Sequence, residues 1–343
     1  MISWIKHIVV YTLENRSFDQ LLGHFPGADG LSPRLSVPAA DGCAARPFPL
    51  KRCSLAQLAN PNHSWEAIHR EWNQGAMDGF VREDGRDVMG YYPPDHIAAF
   101  MEMAHQARVL DHYFCSVLGP TFPNRLYQIA GTSGGLKNDP PACSLREFEM
   151  PTVFDQLEAA EIGWRAYVGD LFPAPGGRAL ARAAQFCPLL WFPRFVTPPL
   201  SRRLSGFNRF FVDVFKGHLP AVSWLFPGLW QSGHPPLPLD PALASALRVF
   251  RALKRSRGWK HTVFIINFDE AGGFYDHVAP PQQDAFGPGI RVPCLVLSGR
   301  LEPAVVHAVF DHTSALRLIE ERFSLALLGE RTQVMQSLST ALE

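Results

Sequence analysis

Two apolar, β-branched runs, each followed closely by acidic residues, constrain this chain more than any other feature. Residues 5–12 and 261–268 have the composition of buried parallel strands. The first run leads into Glu14-Asn15, and the second ends at Asp269-Glu270. In open α/β sheets, ligands bind beyond the carboxyl ends of the strands. The sequence therefore predicts an α/β fold in which these four side chains meet at one edge of a sheet.

The composition is that of a folded chain with a large core. Of the 343 residues, 47% are hydrophobic, and the 25 Phe and 8 Trp argue against disorder despite 30 Pro. Basic and acidic residues balance at 32 each, so no net charge favours nucleic acid as a partner. Without an evident repeat or linker, we predict a single domain over residues 1–343.

Hydrophobic periodicity and turn residues predict the other elements. Strands are expected over 163–168 and 292–297, and helices over 96–108, 124–130, 152–160, 241–257 and 313–323. Residues 26–60 lack periodicity and predict a long loop. Residues 176–230 are rich in aromatic and Arg side chains, which fits either a helical and loop cap inserted on the core or a surface that contacts lipid.

The four polar residues at the strand ends suggest a metal site. Each pair alone is typical of a solvated strand end, but together Glu14, Asn15, Asp269 and Glu270 offer three carboxylates and an amide. Like charges at this density repel unless a cation neutralises them. We predict one divalent ion. The oxygen ligands favour Mg²⁺, Ca²⁺ or Mn²⁺, and Zn²⁺ stays open.

Thr121 begins a predicted helix and has two interpretations. The simpler one is a helix N-cap. The alternative is a nucleophile, because a helix N-terminus attracts phosphate and a hydroxyl on a metal can attack phosphorus. Asn124 and Arg125, one turn further on, are candidates for binding phosphate oxygens.

Three histidines lie in predicted loops and are candidates for general acid catalysis. His63, His234 and His277 stand beside Pro, Gly or Asp rather than on an apolar helix face. A loop histidine is usually only solvent-exposed, so the residue type alone does not assign a role. His112 and His312 each follow an Asp and fit structural positions.

A series of motifs along nearly the whole chain resembles the bacterial phospholipase C and acid phosphatase family of phosphoesterases, to which the plant non-specific phospholipases C belong. The matching segments in chain order are Glu14-Asn15-Arg16-Ser17-Phe18-Asp19, His63-Ser64-Trp65, Met77-Asp78-Gly79-Phe80, Gly119-Pro120-Thr121-Phe122-Pro123-Asn124-Arg125, His234-Pro235-Pro236, Asp269-Glu270-Ala271-Gly272-Gly273-Phe274-Tyr275-Asp276-His277-Val278, Gly289-Ile290-Arg291-Val292-Pro293 and Asp311-His312-Thr313-Ser314.

The resemblance implies an alkaline-phosphatase-like α/β core with a mostly parallel sheet flanked by helices. It implies a metal held by Glu14, Asn15, Thr121, Asp269 and Glu270, with Thr121 as the nucleophile of a phosphoenzyme route. By the same resemblance, Asn124 and His63 match positions that touch the phosphoryl group. His234 and His277 match motif histidines. The chain is short for the family, which leaves extended substrate contacts open.

The leading functional hypothesis is a phospholipase C that releases diacylglycerol from glycerophospholipids, with peripheral membrane contact. The alternatives are a phosphomonoesterase of the acid phosphatase type and an inactive module that binds phospholipid headgroups. A sulfatase would need a Cys or Ser as formylglycine precursor, which Thr121 does not supply.

The sequence as written carries no signal peptide pattern and predicts a cytoplasmic protein, or a secreted or periplasmic one if a leader was removed. Cys43 and Cys53 are candidates for a disulfide, with free thiols as the alternative.

Overall fold

An eight-stranded sheet with helices on both sides forms the centre of the structure. The computed structural model describes residues 2–51, 59–140, 148–171 and 178–343, with only the backbone at 178–181. Its strands are β1 His7–Leu13, β2 Val37–Pro38, β3 Ala44–Ala45, β4 Phe48–Pro49, β5 Gly90–Tyr91, β6 Arg108–Leu110, β7 Tyr113–Phe114, β8 Trp164–Val168, β9 Leu204–Gly206, β10 Val222–Phe226, β11 Thr262–Phe268, β12 Cys294–Leu297, β13 Ala304–Val306 and β14 Phe310–Asp311. Its α-helices are α1 Phe18–Leu22, α2 Trp65–Trp72, α3 Phe80–Asp84, α4 Ala98–Ala104, α5 Thr121–Ala130, α6 Val153–Ala159, α7 Arg178–Phe186, α8 Pro193–Val196, α9 Arg209–Lys216, α10 Asp240–Arg255, α11 His312–Phe323 and α12 Arg331–Val334.

The sheet is mostly parallel, as the sequence predicts. Its strand order is β13-β6-β12-β11-β1-β10-β8-β9. The five strands from β11 to β9 are parallel, whereas β12 pairs antiparallel with both β11 and β6. The predicted strands over 5–12 and 261–268 are β1 and β11, the two neighbours at the middle of the sheet. All of β11 and nearly all of β1 are buried, because helices pack on both faces.

Most predicted helices are present within a few residues of the expected bounds. Thr152 is the N-cap of α6, where it forms a capping box with Asp155. Gly131 ends α5 with a φ of 68°, the left-handed conformation expected of a C-terminal glycine. Of the predicted loop over 26–60, the described residues form only three two-residue strands, β2, β3 and β4. Cys53 lies outside the described residues, so the proposed disulfide with Cys43 stays a prediction.

The predicted helix over 96–108 is too long. Only Ala98–Ala104 is α-helical, and Arg108–Leu110 forms a sheet strand between β12 and β13. The apolar face at Ile97, Phe100 and Met101 is real and buried. Arg108 begins strand β6, which pairs with β12 and β13, so pairing in the sheet overrides the helical periodicity at the end of the predicted helix.

The interpretation of 176–230 as an inserted cap is wrong for its second half. Residues 204–206 and 222–226 are strands β9 and β10 of the central sheet, and β10 pairs directly with β1. Most aromatic side chains of this stretch are buried, among them Trp191 and Trp224. Phe215 differs, with 91% of its surface exposed. None of the described helices combines the length and apolar character that crossing a membrane requires.

Candidate active site

The pairing of β1 with β11 brings the two acidic segments together. Leu13 lies opposite Phe268, so Glu14 and Asp269 leave the sheet side by side. The backbone amide of Asn15 donates to Asp269 Oδ1 over 3.1 Å, and the amide of Arg16 donates to the Glu270 carbonyl over 3.1 Å. Asn15 holds the left-handed conformation with a φ of 52°, which turns the chain at the sheet edge. The predicted convergence of these side chains is therefore present.

Arg125 lies between the carboxylates rather than facing an open phosphate site. It is fully buried, donates from Nε to Asp269 Oδ2 over 3.2 Å and donates from Nη2 to Glu14 Oε1. Burial alone lowers the pKa of Arg125, but the charges of Glu14 and Asp269 outweigh it and raise that pKa. The sequence places Arg125 one turn after Thr121 but contains no signal that it turns inward to these acids. Its phosphate contact stays a prediction.

Two buried oxygen atoms at this edge have no hydrogen-bond partner among the described residues. They are Asn15 Oδ1 and Glu270 Oε1. Burial and then the charge of Asp269 raise the pKa of both Glu14 and Glu270 well above the usual carboxyl range. Unpartnered acceptors beside crowded carboxylates fit a bound cation. The donor set therefore suits the implied divalent metal, although Arg125 already compensates part of the negative charge.

Thr121 is not the N-cap of α5, which corrects the simpler interpretation of this residue. Pro120 occupies the cap position, and Thr121 is the first residue inside the helix, with 4% of its surface exposed. Among the described residues no group forms a hydrogen bond with its hydroxyl. The side chain stands at the helix N-terminus, which favours an anion, and the Phe122 amide there already donates to the Asp139 carboxylate. This placement is compatible with a nucleophile.

Asn124 shapes the turn that precedes Thr121. Its Oδ1 accepts from the Val117 amide over 2.8 Å, and its Nδ2 donates to the carbonyls of Val117, Gly119 and Pro120. The side chain is fully buried, and backbone groups use both of its polar atoms. In this conformation Asn124 fixes the Thr121 turn, and its predicted phosphate contact is not tested.

His63 and His234 come together beside Asn15. Their ring centres lie 6.0 Å apart, and His63 Nε2 lies 3.5 Å from Asn15 Nδ2. In each ring Nδ1 contacts a backbone carbonyl, of Pro61 for His63 and of Pro235 for His234. Nδ1 therefore donates, and Nε2 keeps its lone pair in the neutral ring. Burial lowers the pKa of His234, so this ring is mainly neutral near pH 7.

Asp139 is a candidate that the sequence interpretation missed. Its Oδ1 accepts the Phe122 amide over 2.7 Å, at the first turn of α5 beside Thr121. Desolvation by the surrounding protein raises the pKa of Asp139 to about 6, although part of the residue faces solvent. An acid two residues after Lys137 in a loop carries no recognisable pattern. Only the fold shows that it lies at this helix.

His277 belongs to a separate network of charged groups. Its Nδ1 lies 2.7 Å from Asp19 Oδ2, and its Nε2 lies 3.2 Å from Asp29 Oδ1. Burial alone lowers the pKa of His277, but Asp19 outweighs it and the pKa rises to about 9. Arg291 donates to both Asp19 and Asp276. The network fixes α1 to the loop after β11, and the predicted catalytic role of His277 is not tested.

Two other groups of side chains have the spacing of metal ligands. They are Asp19, Asp276 and His277, and Asp111, His112 and His307, each with donor atoms within 4.8 Å of one another. Within these groups the acids and histidines pair directly, as in the 2.8 Å contact between His307 Nδ1 and Asp111 Oδ2. His312 is separate and buried, and its Nε2 lies 3.0 Å from the Phe268 carbonyl, which agrees with a structural role.

The relatives of this chain include several proteins named for phospholipase C activity. Phospholipase C B of Mycobacterium tuberculosis (strain ATCC 25618 / H37Rv) is 31% identical over 388 residues, which cover 94% of this chain and 74% of that protein. The non-hemolytic phospholipase C of Pseudomonas aeruginosa is 29% identical, with 94% and 54% covered. Non-specific phospholipase C1 of Arabidopsis thaliana is 27% identical, with 94% and 67% covered.

Solved structures share the fold at low sequence identity. Ps i-CgsB in complex with k-i-k-neocarrahexaose aligns with a TM-score of 0.52 at 9% identity, over 98% of this chain and 76% of that one. The Bacteroides thetaiotaomicron protein BT33336S-sulf aligns with a TM-score of 0.51 at 10% identity, over 99% and 82%. With the mostly parallel sheet, these alignments confirm the predicted α/β class.

A match to a family model identifies the family of this chain. The model of the Phosphoesterase family matches residues 5–326. The match begins just before β1 and continues past α11, so it includes both acidic segments and the Thr121 turn. The prediction of an enzyme that hydrolyses phosphoric esters agrees with this match. The chain belongs to the Phosphoesterase family.

Proposed function

We propose that this protein is a metal-dependent phospholipase C that converts glycerophospholipids to diacylglycerol and a phosphorylated headgroup through a phosphothreonine intermediate. The names of its relatives support the reaction class. The observation that carries the proposal is the pair of buried, unpartnered oxygens on Asn15 and Glu270, at the edge to which Arg125 ties the helix that Thr121 begins. Such a site attracts both a cation and a phosphate.

In the proposed reaction Thr121 Oγ1 attacks phosphorus while its hydroxyl proton passes to Nε2 of neutral His63 or His234, and the bond from phosphorus to the glycerol oxygen breaks. The same histidine passes this proton to the departing glycerol oxygen of diacylglycerol; His63 Nε2 lies 3.5 Å from Asn15 Nδ2, and the two rings lie 6.0 Å apart. Water then attacks the phosphothreonine and gives a proton to the same histidine, which passes it to the departing Thr121 oxygen and so restores the hydroxyl. The phosphorylated headgroup is the second product.

The acidic residues set the electrostatics of these steps. The ion would be held by Glu14, Asn15, Thr121, Asp269 and Glu270. When bound, it supplies positive charge that stabilises the phosphoryl oxygens. Arg125 holds Glu14 and Asp269 in position by donating a hydrogen bond to each carboxylate. Asn124 keeps the Thr121 turn in the conformation that presents the hydroxyl.

The first test is hydrolysis of vesicles that contain phosphatidylcholine and phosphatidylglycerol, with and without a chelator. Chelator-sensitive release of diacylglycerol supports the proposal. Cleavage of p-nitrophenyl phosphate without diacylglycerol release identifies a phosphomonoesterase instead. If neither substrate reacts but the protein sediments with the vesicles, the chain is a headgroup-binding module.

A further inference from the structure

Two neighbouring residues, Asn138 and Asp139, each accept a backbone amide at the start of a different helix. Asn138 Oδ1 accepts the Trp65 amide over 2.7 Å, at the first residue of α2. Asp139 Oδ1 accepts the Phe122 amide over 2.7 Å, at the second residue of α5. Both amides belong to first turns, whose N–H groups have no partner within their own helix. Adjacent positions of one loop therefore hold the starts of both helices.

The two helix starts lie next to two residues of the proposed reaction. His63 is two residues before Trp65, and Thr121 is directly before Phe122. His63 and Thr121 are far apart in the sequence and belong to different elements. The hydrogen bonds to Asn138 and Asp139 therefore connect the segment of a proposed proton carrier to the helix of the proposed nucleophile.

A further hydrogen bond fixes the orientation of the Asn138 amide. Its Nδ2 donates to the Glu66 carboxylate, over 3.0 Å to Oε2 and 3.3 Å to Oε1. Because Nδ2 faces Glu66, Oδ1 is the atom that accepts the Trp65 amide. An Asp at this position would also accept that amide but would repel Glu66. The Asn side chain thus matches both of its partners.

Lys137 and Gly119 bring the two segments into direct contact. Lys137 Nζ lies 4.9 Å from the centre of the Trp65 ring, within cation–π range. A Cβ added to Gly119, in the turn before Thr121, would lie 3.1 Å from the Lys137 carbonyl and 3.4 Å from the Trp65 ring. The Thr121 turn, the start of α2 and the loop at 137–139 therefore pack closely as one unit.

From these contacts we infer that Asn138 and Asp139 are positioning residues, which set the place of His63 relative to Thr121 for the proton transfer between them. Both act through backbone amides at the helix starts, and neither takes part in bond cleavage. This inference rests on the proposed phospholipase activity and adds two residues to its machinery.

A double-mutant cycle between Asn138 and His63 tests the inference, with bis(p-nitrophenyl) phosphate as substrate and kcat and KM measured separately. Asn138→Ala should lower kcat about tenfold or more with little change in KM, since a misplacement of about 1 Å can cost about a hundredfold in rate. In the His63→Gln protein, Asn138→Ala should lower kcat by about twofold or less, because the side chain that Asn138 positions is already absent.

Rescue by a conservative variant tests Asp139. Asp139→Asn keeps an oxygen that can accept the Phe122 amide and should retain most of kcat, whereas Asp139→Ala removes the acceptor and should lower kcat about tenfold or more. Thr132→Ala is the matched control, because its hydroxyl accepts the Gly134 amide in the same loop, away from both helix starts. Urea unfolding checks that each variant is folded at the assay temperature.

The possible outcomes separate the inference from the proposed activity. Equal losses from Asn138→Ala with and without His63 indicate a structural effect and overturn the inference, as does full activity in Asn138→Ala or Asp139→Ala. An Asp139→Asn variant as impaired as Asp139→Ala overturns it as well, since the charge and not the hydrogen bond is then required.

Full activity of His63→Gln also overturns the inference, because His63 then has no proton transfer to be positioned for. All of these results leave the phospholipase proposal intact. If the native protein cleaves neither bis(p-nitrophenyl) phosphate nor phosphatidylcholine in vesicles, the proposed function fails and the inference falls with it.

Discussion

Arg125 Nε donates to Asp269 Oδ2, a predicted metal ligand, over 3.2 Å, and both side chains are fully buried. Arg125→Met should therefore lower the free energy of unfolding by about 3–5 kcal/mol, because it leaves buried carboxylates without their cation. Urea unfolding measures the change. Arg251→Met, which breaks an exposed pair with Glu102, serves as control and should change stability by about 1 kcal/mol or less.

The same variant reports on the metal. If a divalent ion binds near Glu14, adding Mg²⁺ or Mn²⁺ should restore part of the stability lost in Arg125→Met, since the ion replaces the missing positive charge. Equal stability with and without these ions would argue against a cation at this edge.

Thr121→Ala should abolish turnover of phosphoesters while leaving stability within about 1 kcal/mol, because the hydroxyl does not cap the helix. Thr121→Ser should retain activity, as it keeps the nucleophilic oxygen. Thr132→Ala is the control, since it removes a hydroxyl beyond the helix end that accepts the Gly134 amide. Retained activity in Thr121→Ala would exclude Thr121 as the nucleophile.

Elemental analysis should show less bound metal in Asp269→Asn and Glu270→Gln than in the native protein. Both changes remove negative charge from the edge where Asn15 Oδ1 and Glu270 Oε1 lack partners. Asp111→Asn and Asp276→Asn probe the two other groups with ligand spacing. Loss of metal in these two variants, with normal content in the first pair, would move the ion to the Asp and His groups.

The ion pair between His277 and Asp19 should be lost in alkaline solution, and the protein should then be less stable. Its folded-state pKa of about 9 lies above the roughly 6.5 of an unfolded chain, so the stabilisation is complete below pH 6.5 and is lost as the pH rises through 9. Between these limits the free energy of unfolding should fall by roughly 2–3 kcal/mol from this residue.

Urea unfolding at pH 6 and pH 9.5 measures this difference. His277→Gln should be less stable at pH 6 and should lose much of the pH dependence, because the positive charge between Asp19 and Asp29 is absent. His218→Gln, at an exposed position, should behave as the native protein does. An unchanged slope in His277→Gln would show that this ion pair does not control alkaline stability.

Local patterns predicted the elements that form the sheet's centre and the segments that carry chemistry. The strands at β1 and β11 are continuous apolar runs, which only a doubly covered parallel position accommodates. The prediction failed where one local sequence pattern is compatible with more than one type of structural element. Arg108 ends the predicted helix yet begins strand β6, and β9 and β10 lie inside an aromatic stretch interpreted as a cap.

The sequence by itself determined that acids follow two buried strands and that a threonine begins a helix behind a Gly-Pro turn. Only the tertiary structure decided that β1 and β11 are neighbours, that Arg125 turns inward to Glu14 and Asp269, and that Asp139 lies beside Thr121. The physical reason is the distance along the chain over which each interaction acts. Strand and cap signals act over a few residues, whereas each of these contacts depends on how distant segments pack around one sheet.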